Sequence, residues 1–475
     1  MKKIIYSLTI LIGVSALAQD KQAVKYAKTI KSEDLKEHLT ILASDEYEGR
    51  ETGTKGQKMA AEYIANQFKN LGLEGPVEGS YLQKFNLASS SISASYFRKG
   101  DEKKVVFEDF VYFSRSETAG EEYIKIIIAD AEDSKIKTYK DAYVAYPVDS
   151  YTNLQERMDK AIEAGAKGFI EIIEPIEEFN TTLKRYSAFM QRPGLELGGR
   201  DNEGSKMIIV GKEVIAWIFE KGYDQLMPGD EAEIVFSADY LDKPIWTENV
   251  LGFLKGSEKP EEIVVITAHY DHIGITNGEI NNGADDDGSG TVTVLEIAEA
   301  FTAAAAKNKG PKRSILFMTV TGEEKGLLGS RYYTDFDPVF PLANTVANLN
   351  IDMVGRVDEK HEGNPDYIYL IGSDKLSQEL HDLSENVNKT YSNLELDYTY
   401  NDESDPNRFY YRSDHYNFAK NNIPIIFYFN GVHADYHKPT DTIEKINFEK
   451  IEKIARLVFH TGWEIANREE RIKVD

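Results

Sequence analysis

In the second half of the chain the apolar residues fall in short unbroken runs. Residues 263–268, 315–320, 346–351, 368–371 and 425–429 are almost continuously hydrophobic. Such runs suit strands buried on both faces of a mainly parallel sheet. Helical patterns fit between them. Residues 291–306 carry Val294, Ile297, Ala298 and Phe301 on one side, and 376–388 form a second such stretch. Buried strands alternating with helices predict an α/β fold, a mainly parallel (mixed) sheet sandwiched by helices. Ligands are expected beyond the carboxyl ends of the strands.

The first half reads differently. Leu35, Leu39 and Leu42 are spaced for a helix over 33–47. A second helix is expected over 56–71, with Met59, Tyr63, Ile64, Phe68 and Leu71 as its stripe and Gly72 as its stop. Between the two lies the turn-rich loop Glu48-Gly49-Arg50-Glu51-Thr52-Gly53-Thr54. Residues 104–243 show short strand-like runs at 123–129, 142–147 and 168–173, a helix near 154–164, and no histidine. This stretch reads as a separate, smaller β-rich insert serving packing or substrate access. The surrounding 19–103 and 244–475 read as one discontinuous domain.

Residues 1–18 read MKKIIYSLTILIGVSALA, a basic start, an apolar stretch and an Ala-Leu-Ala cleavage site. This predicts a secretory signal peptide cut after Ala18, and a periplasmic or secreted mature chain. No later stretch approaches 18 unbroken apolar residues, so no further membrane contact is expected. The 475 residues contain no cysteine, which excludes disulfides, thiolate metal sites and a cysteine nucleophile. Any metal must sit on His, Asp and Glu. Lys+Arg number 55 against 80 Asp+Glu, a formal charge of −25, which makes nucleic acid and anionic membrane poor partners.

The polar residues gather where the predicted strands end. His269-Tyr270-Asp271-His272 follows the first run, Thr321-Gly322-Glu323-Glu324 the second and Asp352 the third. Asn430-Gly431 follows 425–429 and leads to His433 and His437, while Asp285-Asp286-Asp287 precedes the helix at 291. Carboxylates this dense at one sheet edge repel each other unless a cation compensates. A calcium loop running from Asp285 to Glu296 is the rival reading of the triplet. It is outweighed because turn formers rather than a helix precede it, and because Glu296 lies well inside the following helix.

In order along the chain, His269-Tyr270-Asp271-His272, Gly283-Ala284-Asp285-Asp286-Asp287-Gly288-Ser289-Gly290, Gly322-Glu323-Glu324, Asn350-Ile351-Asp352-Met353-Val354-Gly355, Ser413-Asp414-His415 and Tyr436-His437-Lys438-Pro439-Thr440-Asp441-Thr442 resemble the co-catalytic di-zinc aminopeptidases. These are the zinc exopeptidases of the bacterial leucyl-aminopeptidase type. The resemblance covers about 33–90 and 245–470, and 104–243 is more weakly similar to their protease-associated insert domain. It implies a zinc-exopeptidase fold and two zinc ions per chain. His269 and Asp352 would bind one zinc, Glu324 and His437 the other, and Asp286 would bridge them. It also implies a cis Asp286–Asp287 bond, Asp271 on the second ring nitrogen of His269, Glu323 as general base and Tyr436 as donor to the developing oxyanion. The implied reaction removes N-terminal residues from peptide substrates, using a water between the two zincs.

Elementary chemistry agrees with those roles. Three carboxylates and two neutral imidazoles bring four positive charges near neutrality and leave room for a water. A base must not be a ligand, since its lone pair has to accept a proton. Glu323 and Glu324 are read as adjacent residues on an extended segment, which point in opposite directions, so that one can bind metal while the other faces the water.

The remaining candidates read as follows. His272 is expected to be structural or to support a ligand, and His433 to be a loop histidine. Asp414 and His415 either line the pocket or cap a helix. His38, His361, His381 and His460 read as surface residues, and Phe409-Tyr410-Tyr411 as core. A carboxypeptidase or dipeptidase on the same site would need a cationic clamp, for which Arg331, Arg356, Arg408 and Arg412 are candidates. A catalytically dead binding protein would be expected to lack Glu323 or a ligand, and neither is missing. Oligomeric state is not legible.

Overall fold

In the computed structural model, residues 19–475 are described apart from 115–116, 119, 130–135, 148–153, 191–193 and 199–205. The leader-like 1–18 lies outside the described residues. The chain divides into two compact units, one running to Phe85 and resuming over Trp246–Asp475, the other Asn86–Ile245.

In the first unit four central strands run parallel. They lie in the order Ile425–Phe429, Thr345–Ile351, Lys259–His269 and Arg313–Val320. Antiparallel neighbours close both sides: Tyr367–Ile371, itself parallel to Glu395–Asp397, and the end of Glu231–Leu254. Every residue of Arg313–Val320, Thr345–Ile351, Tyr367–Ile371 and Ile425–Phe429 is buried. This is the two-faced burial that the unbroken apolar runs call for. Because the four strands are parallel, His269, Val320, Ile351 and Phe429 all end at the same edge.

Helix Gly290–Ala305 buries nearly its whole circumference. Phe301 meets Phe317 of the sheet at 6.1 Å and Phe459 at 4.7 Å between ring centroids. Phe459 belongs to Phe448–Asn467, the longest helix of this unit, with Ile451, Ile454, Val458 and Trp463 on its inner face. That helix and the short Lys21–Ala27 are absent from the pattern reading above, although Phe448–Asn467 carries a regular 3.6-residue stripe. The expected helices are present as Ser32–Leu42, Lys55–Asn70 and Gln378–Val387.

The second unit has its own core around Phe97, Phe110, Tyr112, Ile170, Ile208 and Phe236. Its strands Glu122–Ile128, Tyr143–Pro147, Gly168–Ile173 and Lys206–Gly211 pair in parallel, with helices Leu154–Glu163, Ile176–Met190 and Lys212–Phe219 interleaved. Among the described residues, no helix is long and apolar enough to cross a membrane.

Two of the four histidines read as surface residues are buried. His361 sits 2.8 Å from Asp358 and stacks on Tyr367 at 3.5 Å. His460 lies on the inner side of the C-terminal helix and stacks on Tyr391 at 4.0 Å. Flat aromatic partners let an imidazole replace a hydrocarbon there.

Glu296 on Gly290–Ala305 is buried; it accepts from the Lys31 N–H at 3.5 Å, and His38 Nε2 stands 3.7 Å from its other oxygen. Burial, with Glu299 and Asp34 adding repulsion, pushes its carboxyl up to about 8 from 4.5. The folded state therefore keeps a proton that the unfolded state releases. The stability this group contributes is full below pH 4.5 and is lost as pH rises toward 8. Glu296→Gln is expected to raise stability by about 3 kcal/mol at pH 8 and to change it little at pH 4, read from urea unfolding at both pH values.

Candidate metal centre

The carboxyl ends of the parallel strands deliver their side chains to one buried point. His269 closes the strand Lys259–His269, and its Nε2 faces Asp286 Oδ1 at 3.3 Å and Asp352 Oδ1 at 3.6 Å. His437 Nε2 faces Asp286 Oδ2 at 3.1 Å and Glu324 Oε2 at 3.2 Å. Asp286 thus offers one oxygen to each of two donor sets. Glu323 Oε2 approaches no closer than 3.9 Å to His269 Nε2, and Tyr436 and Glu323 line the same pocket.

The loop carrying Asp286 is held by its two neighbours. Asp287 accepts N–H groups of His269, Gly290 and Met353 at 3.2, 2.9 and 3.0 Å. Asp285 accepts from Gly355 N–H at 2.6 Å, Asn430 at 3.2 Å and His433 at 3.1 Å. Asp441 accepts the backbone N–H groups of Asp285 and Asp286 themselves, at 3.0 and 3.2 Å. The outer members of the triplet anchor backbone, and the middle member faces the pocket. The Asp286–Asp287 bond is cis. Gly283 is required just upstream: its φ is +55°, and a Cβ there would meet Asp286 O at 2.3 Å.

The titration pattern reflects a concentrated negative field. Burial alone would raise Asp286, but His269 and His437 outweigh it and hold the carboxylate well below its usual range. Glu324 is likewise held down to about 2: burial and Asp286 raise it, and His272 and His437 outweigh them. His437 is driven the other way, up to about 10, by Asp286 and Glu324 against its own burial. Glu323 is pushed well above the normal carboxylate range by burial; His269 at 3.9 Å pulls it down, and burial together with Asp352, Glu324 and Asp414 outweighs that pull.

Two groups of potential ligands converge here: His269 with Asp287 and Asp352, and His272 with Asp286 and Glu324, each within 4.8 Å. Within them His272 Nε2 is buried without a hydrogen-bond partner among the described residues, and the buried Asp286 Oδ2 and Glu324 Oε1 meet histidine nitrogens at 3.1 and 2.8 Å. Oxygen and imidazole donors converging in this way, with a buried nitrogen unsatisfied, match the donor chemistry of zinc.

The sequence profile of Peptidase family M28 matches residues 249–462. Aminopeptidase YwaD of Bacillus subtilis is 29% identical over 234 residues, which are 48% of this chain and 46% of that protein. The aligned segment thus spans about half of that relative. A probable leucine aminopeptidase of Arthroderma benhamiae is 31% identical over 273 residues, 54% of this chain and 67% of that one. The chain belongs to Peptidase family M28. Two solved structures share the fold. An aminopeptidase from Aneurinibacillus sp. strain AM-1 matches with TM-score 0.56 at 19% identity, covering 95% of this chain and 98% of that one. The zinc aminopeptidase BSAP of Bacillus subtilis matches with TM-score 0.52 at 20%, covering 93% and 96%.

In this M28 chain the five expected ligands, His269, Asp286, Glu324, Asp352 and His437, meet at one point, and several details differ from expectation. His269 Nδ1 faces the Asp271 backbone carbonyl at 3.0 Å, while the Asp271 carboxylate stands 3.7 Å away. That carboxylate instead accepts from Thr52 Oγ1 at 2.8 Å and the Glu323 N–H at 3.2 Å. Residues 321–327 form bends and turns, not an extended segment, opened by Gly322 at φ +72°. A turn carries Glu323 and Glu324 toward the same pocket on different partners. His272, expected to be structural or to support a ligand, has Nδ1 2.8 Å from Glu324 Oε1 and itself belongs to one of the two groups that could hold a metal. His433 is in a loop, but ion-paired to Asp285.

Ser413-Asp414-His415 is scaffold. Asn350 donates to Ser413, Ser330 donates to Asp414, and His415 Nε2 contacts the Tyr410 carbonyl at 2.8 Å. Asp414 occupies the cap position of His415–Ala419 without making a cap bond. Phe409 is buried in the core as expected and also lines the metal pocket, whereas Tyr411 is exposed. Of the four candidate arginines, Arg412 alone lines that pocket.

Arg50 went unrecognised beyond its turn-rich loop. Its guanidinium is fully buried and donates to the carbonyls of Tyr270, Leu42, Asn282 and Gly283 at 2.7–2.9 Å. It ties the loop after the first parallel strand to the loop carrying Asp286. Only the improbability of an arginine between glycine-rich turns hinted at it. Arg50→Met would strand four buried carbonyls and is expected to cost more than about 3 kcal/mol. Urea unfolding reads the loss; Arg50→Lys should recover less than half of it, because one ammonium lacks the planar fork.

Proposed function

We propose that this chain is a periplasmic or secreted metallo-exopeptidase that removes N-terminal residues from peptides. The observation that carries the reading is Asp286, whose oxygens face His269 and His437 at 3.3 and 3.1 Å. Such an arrangement suits two cations sharing one carboxylate. His269 and Asp352 would hold one zinc, Glu324 and His437 the other. Bound zinc polarises the scissile carbonyl and brings the pKa of a water near 7.

The chain's own groups supply the proton chemistry. Glu323, close to the ligands but engaged by none of them, takes the proton from the attacking water and returns it to the leaving amine. Tyr436, whose hydroxyl is held above its usual range by burial and by Asp286 and Glu324, stays protonated and donates to the oxyanion. The carboxylate-rimmed pocket favours an ammonium group over a C-terminal carboxylate. The names of the relatives support the aminopeptidase reading, and the Ala-Leu-Ala pattern before Gln19 supports export.

Elemental analysis of the purified chain is expected to give two zinc ions. Glu323→Gln should retain both and lose on the order of 10²–10⁴-fold in kcat. A variant that sheds zinc, yet recovers full turnover when zinc is restored, contradicts the assignment. Hydrolysis of leucine anilide with no hydrolysis of its N-acetylated twin is expected; equal rates on both would favour a carboxypeptidase.

A further inference from the structure

Arg412 is exposed at the wall of the metal pocket. Its guanidinium lies over the Phe409 ring, 4.7 Å from the centroid, and one Nη donates to the Tyr436 hydroxyl across 3.4 Å. The other candidate cations are differently occupied. Arg331 faces Asp335 at 3.7 Å, Arg356 faces Asp435 at 2.9 Å, and Arg408 lies over Tyr411. Among the described residues, no carboxylate pairs with Arg412. A guanidinium has five N–H donors in a planar fork that matches a carboxylate. Four of these have no partner among the described residues, in a chain with an excess of 25 negative charges. Its place over the Phe409 ring keeps the guanidinium beside the pocket, which lowers the entropy cost of using it.

We infer that Arg412 binds a carboxylate of the substrate, so that the enzyme prefers peptides able to bring a carboxylate to this wall of the pocket. This deepens the exopeptidase reading and rests on it. Two sources share that chemistry: the terminal carboxylate of a di- or tripeptide, and the side chain of an acidic residue at the cleavage site. Either would pair with the fork, while the amine end lies among the carboxylates of the pocket. Phe409, Phe429 and Val432 line the same pocket. They leave the guanidinium facing a partly apolar wall, where a charge-assisted pair gains strength.

The test uses the zinc-loaded full chain, wild type, Arg412→Ala and Arg412→Lys, on five substrates: Leu-Leu, Leu-Leu-amide, and the anilides of leucine, glutamate and glutamine. The wild type is expected to show a lower KM for Leu-Leu than for its amide, or for the glutamate anilide than for the glutamine anilide. The pair that differs identifies the source. Arg412→Ala should raise KM for the carboxylate-bearing member about tenfold, leaving its kcat within twofold and the uncharged substrates unchanged. Arg412→Lys should keep part of the preference. A uniform fall in kcat on all substrates would overturn the inference, and would place Arg412 behind the Tyr436 hydroxyl instead. Unchanged kinetics would overturn it as well. A wild type inactive on every substrate would remove the exopeptidase reading, and this inference with it. Because Arg412 is exposed, thermal unfolding of the variants should match the wild type, and a large fall would assign it a structural role instead.

Discussion

The rest of this structure answers to one electrostatic problem, the crowd of carboxylates at the carboxyl edge of the parallel sheet. Asp271, Asp285, Asp286, Asp287, Asp352, Asp414 and Asp441 are all buried there, and Glu324 is nearly so. At low effective dielectric such a group cannot stay ionised without compensation. The chain compensates in three ways. Backbone N–H groups converge on Asp285, Asp287 and Asp441. The Arg50 guanidinium, among Asp271, Asp286, Asp287 and Asp441, contributes a fixed positive charge. Burial pushes Asp414 up to about 7 and Asp441 to about 6, so these two give up charge readily. What is left over is the field around Asp286 and Glu324, met among the described residues by the histidines that face them and, for Asp286, by the more distant Arg50. A divalent cation fits that remainder in sign and in donor type.

The same bookkeeping explains the division of labour within the Asp triplet. Three consecutive aspartates sit in one irregular turn, yet it is the middle one whose oxygens face both His269 and His437, at 3.3 and 3.1 Å. The flanking two spend their lone pairs on N–H groups of the Met353–Gly355 loop, the His269 strand end and the start of the following helix. A loop pinned at both shoulders holds its centre in a narrow range of positions. Substituting either shoulder would be felt at the ligand without touching it, a link between packing and chemistry that the side-chain roster alone does not show.

The fold was legible because its strands are buried on both faces. That condition writes itself as unbroken apolar runs at 315–320 and 425–429, and parallel pairing then places their following residues together. The convergence of the candidate polar residues was legible for the same reason, since they follow those strand ends. Other features had no local signature. Arg50 contributes through four backbone carbonyls from three separate loops, contacts that exist only after folding. The Asp271 carboxylate turned out to hold Thr52 and the Glu323 N–H, because a residue two positions past His269 more easily offers its carbonyl to the ring nitrogen than its side chain. Phe409 is core as its pattern says; that the turn over Phe409–Tyr411 also brings its ring to the pocket wall had no such signature. The stripe of Phe448–Asn467, by contrast, was present in the pattern and went unread.

The turn after Gly322 joins these threads. An extended segment would have sent Glu323 and Glu324 to opposite faces, one into the site and one away from it. The left-handed glycine instead brings both carboxylates to the pocket and separates them by partner. Glu324 is taken up by His272 and His437, which hold it ionised. Glu323 has its backbone N–H fixed by Asp271, and burial with the neighbouring carboxylates outweighs the pull of His269 at 3.9 Å, so its affinity for a proton stays high. Adjacent residues of identical chemistry thereby acquire opposite proton affinities from their surroundings alone. The anionic one suits a ligand, and the proton-avid one suits a base. The distinction rests on two histidines and one backbone hydrogen bond, not on the glutamates themselves.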